Sequence, residues 1–189
     1  MVIFFFLPSI SAQTIKISSE IRPRFENRHG YKILMKSGEE GANFISQRTR
    51  LNFNFKQEKL TLGVSLQNIR VWGDVSTLAS IDFANSFHQA WAQYQFNDNI
   101  SVKFGRQEII YDDSRIFGNV GWAQQARSFD AVVAKIKTSK NGKLDIGYSL
   151  NNDSEQLTNS LYTNVAGYKT FQYAWYHTNI NNLGLSFLA

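Results

Sequence analysis

Apolar and polar residues alternate along most of this chain with a period of two. From Thr14 to Glu26, Ile15, Ile17, Ile21, Pro23 and Phe25 form one row, broken only by Ser19; Lys16, Ser18, Glu20, Arg22, Arg24 and Glu26 form the other. Successive side chains of an extended chain point to opposite faces, so this pattern predicts a strand with one apolar and one strongly polar face. It recurs in Ser46–Phe55, Leu60–Gln67, Gln89–Phe96, Ile100–Gly105 and Leu144–Leu150. Ser128–Lys137 and Thr170–Thr178 are less regular, and a last strand starts at Leu183. After Asn68 the phase slips, because Ile69 and Val71 now alternate with Arg70 and Trp72, which predicts a bulge there. The expectation is an all-β chain of about nine strands with no helix.

The connections alternate in length. Lys56–Lys59, Asn97–Asn99, Ser139–Gly142 and Asn179–Asn182 are short and polar, as hairpin turns require. Asn27–Ile45, Gly73–Phe87, Gln107–Arg127 and Asn151–Lys169 are long. Short turns at one end and long loops at the other are the layout of an antiparallel transmembrane β-barrel. Strand segments of about ten residues suit a tilted span. Aromatic residues are abundant, with 15 Phe, 8 Tyr and 4 Trp, and Phe25, Phe53, Phe55, Tyr94, Phe96, Phe104 and Tyr148 fall towards strand ends, where interface girdles form.

The polar rows then become the lining of a water-filled lumen. They carry Arg22, Arg24, Arg48, Arg50 and Arg70, with Lys16 and Lys103. Guanidinium keeps its charge and offers a fork of donors matched to carboxylate and phosphate, so such a row would favour anions. Cross-strand pairing with Glu20, Glu26 or other acids is the alternative use of the same residues. The four tryptophans are read as interface anchors, with stacking on sugar rings as the other use.

Residues 1–12 (MVIFFFLPSISA) are apolar, uncharged and end in small residues, as the later part of a signal peptide does, which leaves 13–189 as the barrel domain. With no cysteine there is no disulfide, thiolate metal site or cysteine nucleophile. His29, His88 and His177 are isolated, and Asp112-Asp113 would point to opposite faces of an extended chain. No catalytic set, metal or cofactor is expected. The net charge of +5 is spread over the strands and matches no nucleic-acid module.

Residues 105–130 read GRQEIIYDDSRIFGNVGWAQQARSFD. With QRTRLNF (47–53), LQNIRVWGD (66–74) and HQAWAQYQF (88–96), they resemble the alginate export family of outer-membrane porins. The resemblance implies a barrel of about 18 strands, of which this chain would supply the N-terminal half, closed by a missing C-terminal half. It also implies a location in the bacterial outer membrane, contact with lipid, and an arginine-rich lumen passing anionic polysaccharide or small solutes. Arg106, Arg115 and Arg127 would join the lumen-lining set. Gly105, Gln107, Tyr111, Asp112, Asp113, Trp122, Gln124, Gln125 and Asp130 would be the motif's structural residues.

Three function classes stand at this point. The leading one is a passive channel; the others are a barrel enzyme acting on lipid or polysaccharide, and a soluble periplasmic binding barrel.

Overall fold

The computed structural model describes residues 13–82, 84–152, 154, 155, 157, 158 and 167–189. The expected signal peptide, 1–12, and part of the connection 151–169 lie outside the described residues. Nine strands follow one another: β1 Thr14–Arg28, β2 Ala42–Gln57, β3 Leu60–Val71, β4 Asn85–Asn97, β5 Ile100–Gln107, β6 Phe129–Lys137, β7 Gly142–Leu150, β8 Thr170–Ile180 and β9 Leu183–Leu188. No helix occurs among the described residues.

Each strand pairs antiparallel with the next, giving a single sheet in the order β1 to β9. All short turns therefore lie at one end and all long connections at the other. The sheet is open: β1 pairs only with β2, and β9 only with β8. The expected all-β antiparallel architecture is thus present.

The register fixes the faces. Glu20 lies opposite Arg50, and Arg22 opposite Arg48, on the polar face. On the other face Ile17 meets Phe53 and Ile15 meets Phe55. The pairing of β2 with β3 runs without interruption from Gln57–Leu60 to Ser46–Val71. The bulge expected near Asn68 is therefore absent from that strand. The shift lies between β3 and β4: Ser65 faces Gln89 and Leu66 faces Phe87, so His88 is the extra residue. An uninterrupted β3 also puts Arg70 opposite Gln47, one step out of phase with the inward Arg48. Its partners are Asn68 and Asp82, on the apolar side at the long-loop end.

The polar face is the covered one. The connection 108–128, a strap, folds back over it and touches β1 to β4 at one end and β6 to β8 at the other. The sheet thus curls around this segment. Arg48 keeps 4% of its surface exposed and Gln67 6%, whereas Ile17 keeps 66% and Ile21 70%. A small apolar core of Ile109, Phe117, Phe129, Ala131, Val133 and Tyr173 sits between the strap and β6–β8.

Two glycines make room for aromatic rings on this covered face. A Cβ on Gly147 would come 2.0 Å from Tyr173 Cε1, and one on Gly63 would come 2.3 Å from the Trp91 ring. Gly147 and Tyr173 are cross-strand partners, as are Gly63 and Trp91, so each ring lies across the glycine opposite it. Overpacking of this kind costs about 1–3 kcal/mol. Gly147→Val is therefore expected to lower the urea unfolding midpoint of the folded protein, whereas Val132→Ala, on the exposed face, is expected to leave it nearly unchanged.

Candidate functional site

The site is the strap and the polar wall that holds it. Residues 108–128 lack a strand partner, so their buried carbonyls need other donors. Arg22 and Arg48 supply them from adjacent strands. Arg22 donates through Nη1 to the Gly121 carbonyl (2.7 Å), and through Nη2 to the Ala123 carbonyl (3.0 Å) and Gln124 Oε1 (2.9 Å). Arg48 Nη1 donates to the carbonyls of Ala123 (3.2 Å), Gln124 (3.3 Å) and Gly121 (3.4 Å). The other edge of Arg48 forms a fork on Glu20, at 2.8 Å from Nε and 2.7 Å from Nη2.

Amide and hydroxyl groups complete the seam. Gln124 Nε2 donates to Ser46 Oγ (2.6 Å), and Gln67 Nε2 donates to the Gln125 carbonyl (3.3 Å). Arg50 donates through Nε to Gln67 Oε1 (3.0 Å), and its Nη1 lies 4.0 Å from Glu108. Glu108 is the hub at the strap's start. It is 2.7 Å from His88 Nε2 and accepts from Asn119 Nδ2 at 3.2 Å. Burial alone would raise the pKa of Glu108, but the hydrogen bonds from His88 and Asn119, with Arg50 nearby, hold it below the ordinary carboxylate range.

The other half of the strap docks by apolar contact. Phe117 packs on Phe129, Phe171 and Tyr173, and Tyr111 stacks on Trp175 with ring centroids 4.5 Å apart. The Tyr111 hydroxyl donates to Asp145 Oδ2 (2.7 Å). Burial, with the hydrogen bonds to Tyr173 and Asp145, pushes that phenol far above its usual range, so it remains a donor. Asp112 accepts from Trp175 Nε1 at 2.9 Å. Asp112, Ser114, Val120 and Ala126 all have positive φ, a region β-branched Val120 rarely adopts. Docking therefore holds the strap against its local preference.

The structure sorts the sequence candidates. Arg22, Arg24, Arg48, Arg50 and Lys103 lie on the strap-side face, with Arg24 donating to the Trp122 carbonyl (2.8 Å) and Lys103 lying 4.0 Å over the Trp91 ring. Gln107, Tyr111, Asp112, Gln124 and Gln125 join the seam or its borders, and Gln107 Nε2 donates to the Ala131 carbonyl. Gly105, with φ of 108°, takes a backbone shape that a Cβ would block against the Ala90 carbonyl. Trp122 is exposed, with only its carbonyl in the seam.

Two arginines expected in the lumen, Arg70 and Arg106, face the apolar side, and two more, Arg115 and Arg127, belong to the strap. Arg70 is on the apolar side, as described above. Arg106 lies opposite Asp130 and pairs with it at 2.8 Å, on the same face as Phe104 and Val132, because period-two register carries it outwards. Arg115 pairs with Asp113 on the strap's exposed surface. Arg127 donates to the Gly118 carbonyl (2.8 Å) and closes the strap on itself. Sequence reasoning missed His88, whose buried position follows from the bulge; its spacing to Glu108 carries no signal without the β4–β5 pairing. Among the described residues no group of three or more His, Asp or Glu side chains could hold a metal ion.

Comparison with protein-family models and with curated proteins finds no match to this chain. What the fold and site define is an open, all-β antiparallel sheet whose polar face is spanned by a tethered strap.

Two outcomes follow from the seam. Arg48→Ala leaves Glu20 and the Gln124 carbonyl without their donor and takes one of two arginine donors from the Gly121 and Ala123 carbonyls. Because Glu20 is partly exposed, the cost falls below the about 3–5 kcal/mol of breaking a fully buried ion pair. Amide hydrogen exchange over 119–126 is expected to accelerate strongly, with exchange in β6 and β7 little changed. Protonating Glu108 removes its charge and turns one of its two accepting oxygens into a donor. Its depressed pKa contributes stability that is fully present above the unfolded-state value, about 4.3, and is lost as pH falls through the folded-state value. Protection of strap amides is therefore expected to drop below about pH 4, and Glu108→Gln should abolish that pH dependence.

Proposed function

We propose that this chain forms part of the wall of an outer-membrane β-barrel channel for anionic or small polar solutes, with the strap as its internal constriction. The observation carrying this reading is the inverted distribution of side chains. The covered face holds Arg48, Arg50, Gln67, Ser65 and Asp145, and the open face holds Ile15, Ile17, Ile21, Phe25, Leu51 and Phe104. A soluble barrel would hide the second set and expose the first. Lipid against the apolar face and water within the polar one reverse that preference.

The open edges support a larger assembly. With nine strands in strict alternation, β1 and β9 run in the same direction. Antiparallel closure at both edges therefore needs an odd number of further strands. Two identical nine-stranded sheets with their long loops on one side would meet in parallel pairs. The C-terminal half implied by the family resemblance, with about nine more strands in a barrel of about 18, satisfies this parity.

Within such a barrel the strap leaves an arginine-rich mouth on the long-loop side. A cavity of about 1030 Å³ there is bordered by Arg24, Arg28, Lys32, Tyr31, Trp122 and Glu26. Arg22, Arg48 and Arg50 sit beneath the strap, committed to its carbonyls and to Glu20, Gln67 and Glu108. Their charge biases the lumen towards anions while most of their donors are occupied, Arg22 Nε and Arg50 Nη2 being buried without a hydrogen-bond partner among the described residues. Bridging by Arg24 between Glu26 and the Trp122 carbonyl leaves it partly exposed at the mouth.

Planar-bilayer recording of the full-length protein tests the reading. Single channels with an anion-selective reversal potential are expected, and Arg24→Gln should move that potential towards zero. Removing 111–126 in favour of a short Gly-Ser link should raise conductance several-fold. Absence of conductance, or cation selectivity unaffected by Arg24→Gln, would overturn it.

A further inference from the structure

The strap has a second side, facing the short turns, and its chemistry differs from the arginine seam. A cavity of about 610 Å³ opens there between the ends of β4 to β8 and strap residues Ile110 to Asp112. That size falls in the range of small-molecule sites, about 300–1,000 Å³. Its floor carries Gln93, Gln95, Asn99 and Ser101. Gln93 Nε2 donates to Ser101 Oγ and Gln95 Nε2 to the Asn97 and Ile100 carbonyls, which leaves both glutamine Oε1 atoms, the Asn99 side-chain amide and the Ser101 O–H for a ligand. Its rim carries Lys135, Lys137 and Lys143 against Asp112 and Asp145.

Most of these charges are already matched. Lys135 Nζ lies 2.6 Å from Asp145 Oδ2, and Asp112 accepts from Trp175. Lys137 and Lys143 are not. They are direct cross-strand partners at the end of the β6–β7 hairpin. Side chains so placed have Cβ atoms about 4.5–5.5 Å apart, and like charges there are mutually destabilising. Neither lysine has an ion-pair partner among the described residues. The hairpin thus concentrates two exposed ammonium groups at the mouth of a polar cavity.

Trp175 is already engaged by stacking with Tyr111 and His177. Recognition here therefore falls to charge and hydrogen bonding. We infer that this cavity is a binding site for a hydroxyl-rich solute of about hexose size, whose anionic group bridges Lys137 and Lys143. The carboxylate of a sugar acid and the phosphate of a sugar phosphate share the required chemistry. Hydroxyl groups would reach Gln93, Gln95, Asn99 and Ser101. The site is separate from the arginine seam, with the strap between them. Its place in a permeation path rests on the channel reading; the binding itself does not.

Calorimetric titration of the full-length, detergent-folded protein at low salt tests this, with glucuronate and glucose 6-phosphate as probes. Native protein is expected to bind at least one of them. The Lys137→Gln/Lys143→Gln pair should weaken that binding about tenfold or more. Lys140→Gln, in the intervening turn, should leave it within about twofold. Preference for one probe assigns the anionic group as carboxylate or phosphate. No binding by native protein, or equal binding by native protein and the double variant, overturns the site. Circular dichroism and heat-modifiable gel mobility of the double variant check that it folds. Conductance of the same preparations reports separately on the channel, so that either idea can fail alone.

Discussion

The guanidinium groups of Arg22 and Arg48 hold the backbone carbonyls of Gly121, Ala123 and Gln124 against the sheet, and the remaining architecture depends on that contact. A polypeptide crossing a covered, polar space cannot leave its carbonyls bare. Two neighbouring arginines would normally repel each other. Here Glu20 offsets part of the charge, and the carbonyl dipoles of the strap supply further partial negative charge. The strap and the arginine pair therefore stabilise each other: without the arginines the strap carbonyls lose their donors, and without the strap Arg22 loses its acceptors and Arg48 keeps only Glu20.

The strap is fixed at its two ends by different forces. Its 119–125 segment is held by directional hydrogen bonds, and its 109–117 segment by aromatic and aliphatic packing against Phe129, Phe171 and Tyr173. Packing sets where that half rests, and the hydrogen bonds set its orientation and register. Between the two, Glu108 and Asn119 meet, tying the beginning of the strap to its middle and both to His88 in the wall. This arrangement keeps four residues in the positive-φ region, including Val120. A loop free in water would relax them.

The same strap divides the polar space into two compartments of unlike chemistry. The long-loop side offers arginine with aromatic and carboxylate neighbours. The short-turn side offers lysine with amide and hydroxyl groups. Arginine suits the fixed, bidentate contacts of the seam, and lysine is a compact point charge on a flexible stem.

The alternation of residues was enough to place nine strands, their order of long and short connections, and the faces of β1, β2, β5 and β7. Period-two geometry links sequence to face directly wherever a strand is unbroken. Phase could not be read through irregular positions. The apolar sequence around Ile69 suggested a bulge in β3, but the extra residue is His88 in β4. As a result Arg70 lies on the other side of the wall from Arg50. Arg106 likewise belongs to the outer row by its pairing with Asp130. The strap itself, with no period and no regular spacing, was legible only as a long connection and a motif. Its position is set by contacts such as Arg22 with Ala123 and Tyr111 with Tyr173, between residues 101 and 62 apart in the chain. Those contacts exist only once β1 to β8 have paired and curved, so tertiary structure alone decides which arginines meet the strap.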